Sequence, residues 1–192
     1  MLLPRRARKV TAEDAEQMMP SSPTHSFDVS LEEARRIQNE LKACVQLTGV
    51  FASFEEVGLV GGADVAFLEF PSSGTLALAA AVVMEAGTRC VVETSYATAP
   101  VLFPYIPGFL TFREGPAVLA AMSALSALPD VMIYDGAGIA HPRGLGIASH
   151  MALLTGIPSI GCAKSLLMGS CEEPGMEKGD RSFLYYHECI IG

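Results

Sequence analysis

No apolar stretch in this chain of 192 residues approaches the roughly 18 residues needed to cross a bilayer, although half of its residues are hydrophobic. A membrane-embedded protein is therefore not expected. No apolar segment follows the basic cluster Arg5, Arg6, Arg8 and Lys9 either, so no secretory signal is read. Cysteine is sparse: there are five, none in a C-x-x-C pair, and an odd number leaves one without a partner. That spacing speaks against a disulfide framework or a zinc site, and reduced, mostly buried thiols in a cytoplasmic protein are expected. Basic residues are few, 13 against 21 acids, for a net charge of −8. A nonspecific nucleic-acid coat would be basic. A small basic cleft on an acidic enzyme remains compatible with this balance, because net charge says little about local fields.

What is present centres on residues 134–150, Tyr-Asp-Gly-Ala-Gly-Ile-Ala-His-Pro-Arg-Gly-Leu-Gly-Ile-Ala-Ser-His. An apolar run, Val131 to Tyr134, leads into Asp135, and glycines follow at 136, 138, 144 and 146. This is the pattern of a buried strand that delivers a carboxylate to its C-terminal end and then turns. In open α/β sheets ligands bind at that end. Asp135 and His141 are the first candidates for an active site.

The length suits one domain with a sizeable core. Residues 1–29, rich in Pro, Ser and charge, read as a flexible leader before a domain spanning 30–192. Ser30-Leu31-Glu32-Glu33 is a capping-box signature. Leu31, Ala34, Ile37, Leu41 and Val45 then recur at helical spacing, and Gly49 is the expected stop. Leu59–Phe67, Leu76–Met84 and Arg89–Tyr96 read as three strands of an antiparallel meander. Asp64 lies inside the first. A buried, unpaired carboxylate is costly, so this acid faces solvent, pairs with a cation or binds metal.

Phe103-Pro104-Tyr105-Ile106-Pro107-Gly108-Phe109-Leu110 is a stiff loop with aromatic and apolar tips. It is either an ordered connection packed on the core or a wedge of the kind that unstacks nucleic acid. Thr111-Phe112-Arg113-Glu114 fits a second capping box before a helix to Leu128, with Pro116 suggesting a start near Gly115. Glu114 is then a cap or a third acid of a metal site. Val131–Tyr134 reads as a parallel strand, residues 145–154 as a helix in which His150 is packed or partly exposed, and Ile157–Ala163 as a further parallel strand. If both strands are parallel, Lys164 emerges at the same end as Asp135. Residues 172–180 read as a solvated loop, and Phe183–Tyr186 and Glu188–Ile191 as short strand pieces.

Helix, three antiparallel strands, helix, strand, helix, strand, with acids at 64, 114 and 135, is the plan of the α/β ribonuclease H-like fold: a mixed sheet flanked by helices. Carboxylates suit Mg²⁺ or Mn²⁺, and no soft-ligand cluster competes.

Four segments carry a closer resemblance: Gly62–Phe67, Phe103–Glu114, 135–150 and Ile160–Ser165. In this order they resemble the endonuclease V family of deoxyinosine-specific repair nucleases, over about residues 31–192. The resemblance implies a hydrolase that cuts the second phosphodiester bond on the 3′ side of deoxyinosine in DNA, with inosine in RNA as a further substrate class. It implies Asp64, Glu114 and Asp135 as metal-binding acids, with Lys164 as a further catalytic group. Tyr105, Ile106 and Pro107 match the wedge. Gly108, Leu110, Gly136, Gly138, His141, Gly146 and Leu167 match positions around the displaced base. A cytoplasmic monomer with Mg²⁺ (or Mn²⁺) and inosine-containing DNA as partners is expected, with no membrane.

Two departures stand out. Ala137 occupies a position where many members carry a larger polar residue. The family also continues beyond Gly192 into a further strand, a closing helix and a glycine-histidine motif whose histidine reaches the active site. An alternative function, a non-catalytic inosine-lesion binder, follows from that difference.

Overall fold

The computed structural model describes residues 24–72 and 74–192. Residues 1–23 of the expected leader lie outside them. Residues 24–29 do not behave as a leader: Phe27 packs against both halves of the core, and its ring fills the space beside Gly115.

Helix α1, Leu31–Leu41, begins where the sequence predicts. Ser30 Oγ accepts the Glu33 N–H at 3.2 Å, and Glu32 and Glu33 lie in the first turn, where the helix dipole favours acids. A single 3₁₀ turn, Lys42–Cys44, ends it earlier than Gly49. Strands β1 (Leu59–Phe70), β2 (Gly74–Glu85) and β3 (Val91–Pro100) form the antiparallel meander. β1 runs on to Phe70 and β2 from Gly74 to Glu85, whereas β3 begins two residues later than predicted and continues to Pro100. Helix α2 spans Leu110–Ser123, β4 Val131–Tyr134, α3 Ile147–Thr155 and β5 Ser159–Gly161. The sheet order is β3-β2-β1-β4-β5, with β4 parallel to both β1 and β5. Antiparallel strands, then parallel ones, flanked by helices, give the ribonuclease H-like arrangement. A separate two-stranded ribbon, β6 (Tyr185–Tyr186) with β7 (Cys189–Ile190), lies at the C-terminal end.

The period of two decides which sheet face is covered. Ala77, Ala79, Ala81 and Val83 of β2 are buried against Ala117, Val118 and Ala121 of α2. Small residues on both sides let helix and sheet approach closely. A second cluster joins Ala34, Ile37 and Leu41 of α1 to Phe103, Phe109, Phe112 and Leu145. Each buried aromatic there contributes roughly 1.5–3 kcal/mol of burial. This cluster ties α1 to the loop before α2 and to the turn after β4, the two segments that matter most below.

Two expectations are corrected. Helix α2 starts at Leu110, not near Gly115, so Glu114 lies inside the helix and is no cap; Pro116 is inside it too. The proline leaves the Phe112 carbonyl without its helical donor, and burial of the apolar α2 face outweighs that loss. The five cysteines are all free, as expected, but all exposed rather than buried. Cys162, Cys171 and Cys189 belong to the part of the chain after β5, where few side chains are covered. Among the described residues no helix is long and apolar enough to cross a membrane.

Candidate active site

Parallel pairing sets the acids side by side. Ala63 of β1 is level with Tyr134 of β4. The next residue along each segment is an aspartate, so Asp64, midway along β1, and Asp135, just past β4, come side by side where the parallel pairing ends. Asp64 is exposed, which resolves the open choice about its burial, and its Oδ1 accepts the Val65 N–H at 2.8 Å. Glu114 reaches the same place from the second turn of α2. Burial, then the negative charges of Asp64 and Asp135, push its carboxyl up to about 7, against relief from Arg113 and Lys164. Because β4 and β5 are parallel, Lys164 comes out beside Asp135 as predicted and donates to its Oδ2. That bond raises the lysine pKa further.

The four groups line one open cleft of about 370 Å³. Tyr105, Ile106, Pro107, Gly108, Leu110, Gly136, His141, Gly146 and Leu167 line it as well. Among the sequence candidates, only Gly138 stands behind the wall. Its carbonyl accepts the Gly146 N–H at 2.8 Å, holding the far side of the turn. Gly146 has no room for a side chain: a Cβ would lie 2.2 Å from the Ala137 oxygen. This close approach of two backbones folds residues 135–146 into the compact turn from which α3 starts.

The loop between β3 and α2 is anchored at its ends and free at its tip. Phe103 and Phe109 are buried, whereas Tyr105 is 70% exposed. Arg113 donates to the Phe103 carbonyl at 3.2 Å, and Phe109 N–H donates to Ile106 O at 3.0 Å. Gly108 has φ +82°, the left-handed region that favours glycine, and its carbonyl turns inward. That carbonyl accepts from His141 Nε2 at 3.0 Å, from Gln38 Nε2 at 3.0 Å and from an Arg143 Nη. A carbonyl only accepts, so His141 carries its proton on Nε2, and its Nδ1 accepts the Arg143 N–H at 3.2 Å. Burial first, then Arg143, drives the His141 pKa down to about 4, so the ring is neutral with both nitrogens engaged inside the protein.

Gln38 and Arg143 were not among the sequence candidates. Gln38 carried a signal: it falls in the apolar phase of α1, four residues after Ala34, where a polar side chain has to be satisfied. His150 is fully buried, and its Nε2 lies 2.8 Å from His25 Nε2, well away from the acids.

The donor set is three carboxylates, which in kind fits a hard divalent cation. Burial first, and then the like charges of Asp64 and Asp135, raise the Glu114 pKa, and a bound cation would relieve both. Among the described residues, no three acidic, imidazole or thiol groups converge tightly enough to enclose a metal ion as they stand. Lys164 takes one oxygen of Asp135 in this arrangement.

Comparison with known proteins agrees with the geometry. Residues 13–192 match the family model described as Endonuclease V. Endonuclease V of Azotobacter vinelandii is 43% identical over 174 residues, covering 91% of this chain and 76% of that protein. The crystal structure of endonuclease V from Streptomyces avermitilis superposes with a TM-score of 0.77 at 41% identity, over 85% of this chain and 70% of that one. Endonuclease V of Ciona intestinalis, solved in complex with a 24mer DNA containing an inosine followed by a ribo-adenosine, gives 0.66 at 29% identity, over 71% and 59%. With nearly its whole length matched and its acids, wedge-like loop and glycine turn gathered at one cleft, the chain belongs to the endonuclease V family.

Proposed function

We propose that this chain is a divalent-metal-dependent endonuclease of DNA repair that hydrolyses the second phosphodiester bond 3′ to deoxyinosine, with inosine in RNA as a second substrate class. The observation that carries the reading is the shared cleft, lined by three carboxylates and Lys164 together with an exposed aromatic tip and a glycine-rich turn. Family membership and the inosine-containing DNA bound by the Ciona relative support the same substrate.

Asp64, Glu114 and Asp135 would hold Mg²⁺ or Mn²⁺. Such an ion, when bound, supplies a Lewis acid for the phosphate and lowers the pKa of water near it. The chain's own groups do the rest. Lys164 brings a mobile positive charge to the cleft, where it can leave Asp135 for a phosphate oxygen or the departing oxyanion. Tyr105, with Ile106 and Pro107, fills the stack when the base leaves it. Gly108, Leu110, Gly136, His141, Gly146 and Leu167 wall the space for the displaced base, with Gly138 behind them. The glycines let the backbone come close to a flat ring, and displacement is cheapest for a mispaired base.

The test is an end-labelled duplex with one deoxyinosine, incubated with and without Mg²⁺. A single Mg²⁺-dependent nick one nucleotide beyond the lesion's own 3′ phosphate supports the reading. Tight, inosine-selective binding without a nick at any Mg²⁺ or Mn²⁺ level would replace it with a lesion binder.

A further inference from the structure

We infer that Gln38, on α1, is a positioning residue for the Tyr105 tip, acting through the Gly108 carbonyl. This rests on the wedge reading above and adds a residue to it.

Gln38 is 1% exposed, between Ile37 and Leu41 on the packed side of α1. A buried primary amide is costly unless its donors and acceptor are used. Here they are all used, and every partner lies on one of two loops. Nε2 donates to Gly108 O at 3.0 Å and to Leu145 O at 3.4 Å. Oε1 accepts from Arg143 Nε. One side chain thus joins the loop before α2 to the turn after β4. Arg143 reinforces the join: its guanidinium lies 4.0 Å from the centre of the Phe109 ring and also donates to Gly108 O.

The tip needs such a tie. Between Phe103 and Phe109, the described backbone–backbone bonds include one inside the loop, Phe109 N–H to Ile106 O. Tyr105 and Pro107 are exposed, and Ile106 between them packs against the second core cluster. The path of the tip is therefore set by the two buried phenylalanines, by Ile106 on the core, by the Arg113 bond to Phe103 O and by where Gly108 O is held. Replacing Gly108 itself would not test this cleanly, since a Cβ there meets Arg143 Nη2 at 2.7 Å. Gln38 lines the same cleft but meets the loop at Gly108 O, a carbonyl it holds together with His141 and Arg143. Holding the tip in its binding direction before the substrate arrives saves ordering cost on binding. The loss is then expected in affinity rather than in the chemical step.

The chain has no tryptophan, so Tyr105→Trp creates a single tryptophan at the tip that can be excited apart from the tyrosines. Fluorescence anisotropy of that tryptophan is compared with Gln38 intact and with Gln38→Leu. Lower anisotropy in the Gln38→Leu protein is expected. In the Tyr105 background, Gln38→Leu is expected to weaken inosine-duplex binding by about tenfold or more, with single-turnover cleavage at saturation within about twofold of the parent. Should Gln38→Leu not fold, Gln38→Glu keeps the shape and the Arg143 partner while removing the donor to Gly108, and the same two results are expected. A folded variant with a lower Tm but unchanged anisotropy and affinity would overturn the inference and leave Gln38 a packing residue. The anisotropy comparison uses no nucleic acid, so it decides the clamp even where the parent proves indifferent to inosine.

Discussion

Lys164 and Asp135 meet across the ends of two neighbouring parallel strands, with the lysine ammonium on Asp135 Oδ2 and its side chain 86% exposed. An exposed pair of this kind adds little to stability, so its value lies in chemistry. Lys164→Met is expected to leave Tm unchanged and to reduce single-turnover cleavage of an inosine duplex by about 10²-fold, the usual cost of losing one charge-stabilising donor. Thermal melts and quenched-flow cleavage of the same preparation check both halves.

Glu114 links acidity to metal. Its folded pKa of about 7 stands above its ordinary value of 4.5. The folded protein therefore holds a proton that the unfolded chain has released. The contribution is fully present below the ordinary value and is lost as pH rises through about 7. Glu114→Gln, neutral at every pH, is expected to stabilise the metal-free protein above neutrality and to have little effect in mild acid. Adding Mg²⁺ is expected to raise the Tm of the parent more than that of the variant. Melts in chelator and in Mg²⁺ across this range read both effects.

His150 shifts the opposite way. Burial, then the His25 and His141 rings, lower its pKa to about 3 from 6.5. The unfolded chain takes up a proton that the folded one refuses, so stability is complete above 6.5 and falls as pH drops towards 3. His150→Leu removes this group's share, and the acid-side slope of urea-unfolding free energy is expected to flatten. His141, with its own pKa of about 4, keeps the remaining slope.

Tyr105 is expected to matter for binding and not for folding. It is 70% exposed, so Tyr105→Ala should melt with the parent. Aromatic stacking on a base contributes roughly 1–3 kcal/mol. The variant should therefore lose about 10–100-fold in affinity for the inosine duplex, read by titration against a plain duplex.

The sequence made the sheet legible because its signals are local. Val131–Tyr134 is an unbroken apolar run ending in an acid, and the strand has those bounds. Ser30 and Glu33 announce the start of α1 and make the expected cap. Parallel pairing of 131–134 with 157–163 predicts Lys164 beside Asp135, and the two groups meet there. Features decided by distant packing were not legible. Pro116 suggested a late helix start, but the buried face of Phe112 and Ala117 carries the helix from Leu110. The cysteines read as small core residues, yet all five are exposed, three of them in the sparsely covered stretch after β5. His25 and Phe27 looked like leader until Phe112 and His150 were seen to supply a surface for them. Gln38 became meaningful only when Gly108 and Leu145 came to it from distant parts of the chain.

The most direct measurement is single-turnover cleavage of two duplexes that differ only in deoxyinosine or deoxyadenosine at one position, with the parent and Asp64→Asn side by side in Mg²⁺. The parent is predicted to nick the inosine strand alone. Asp64→Asn is predicted to bind that duplex and leave it intact. Equal cutting of both duplexes by the parent, or undiminished cutting by Asp64→Asn, would contradict a carboxylate-centred, inosine-directed nuclease.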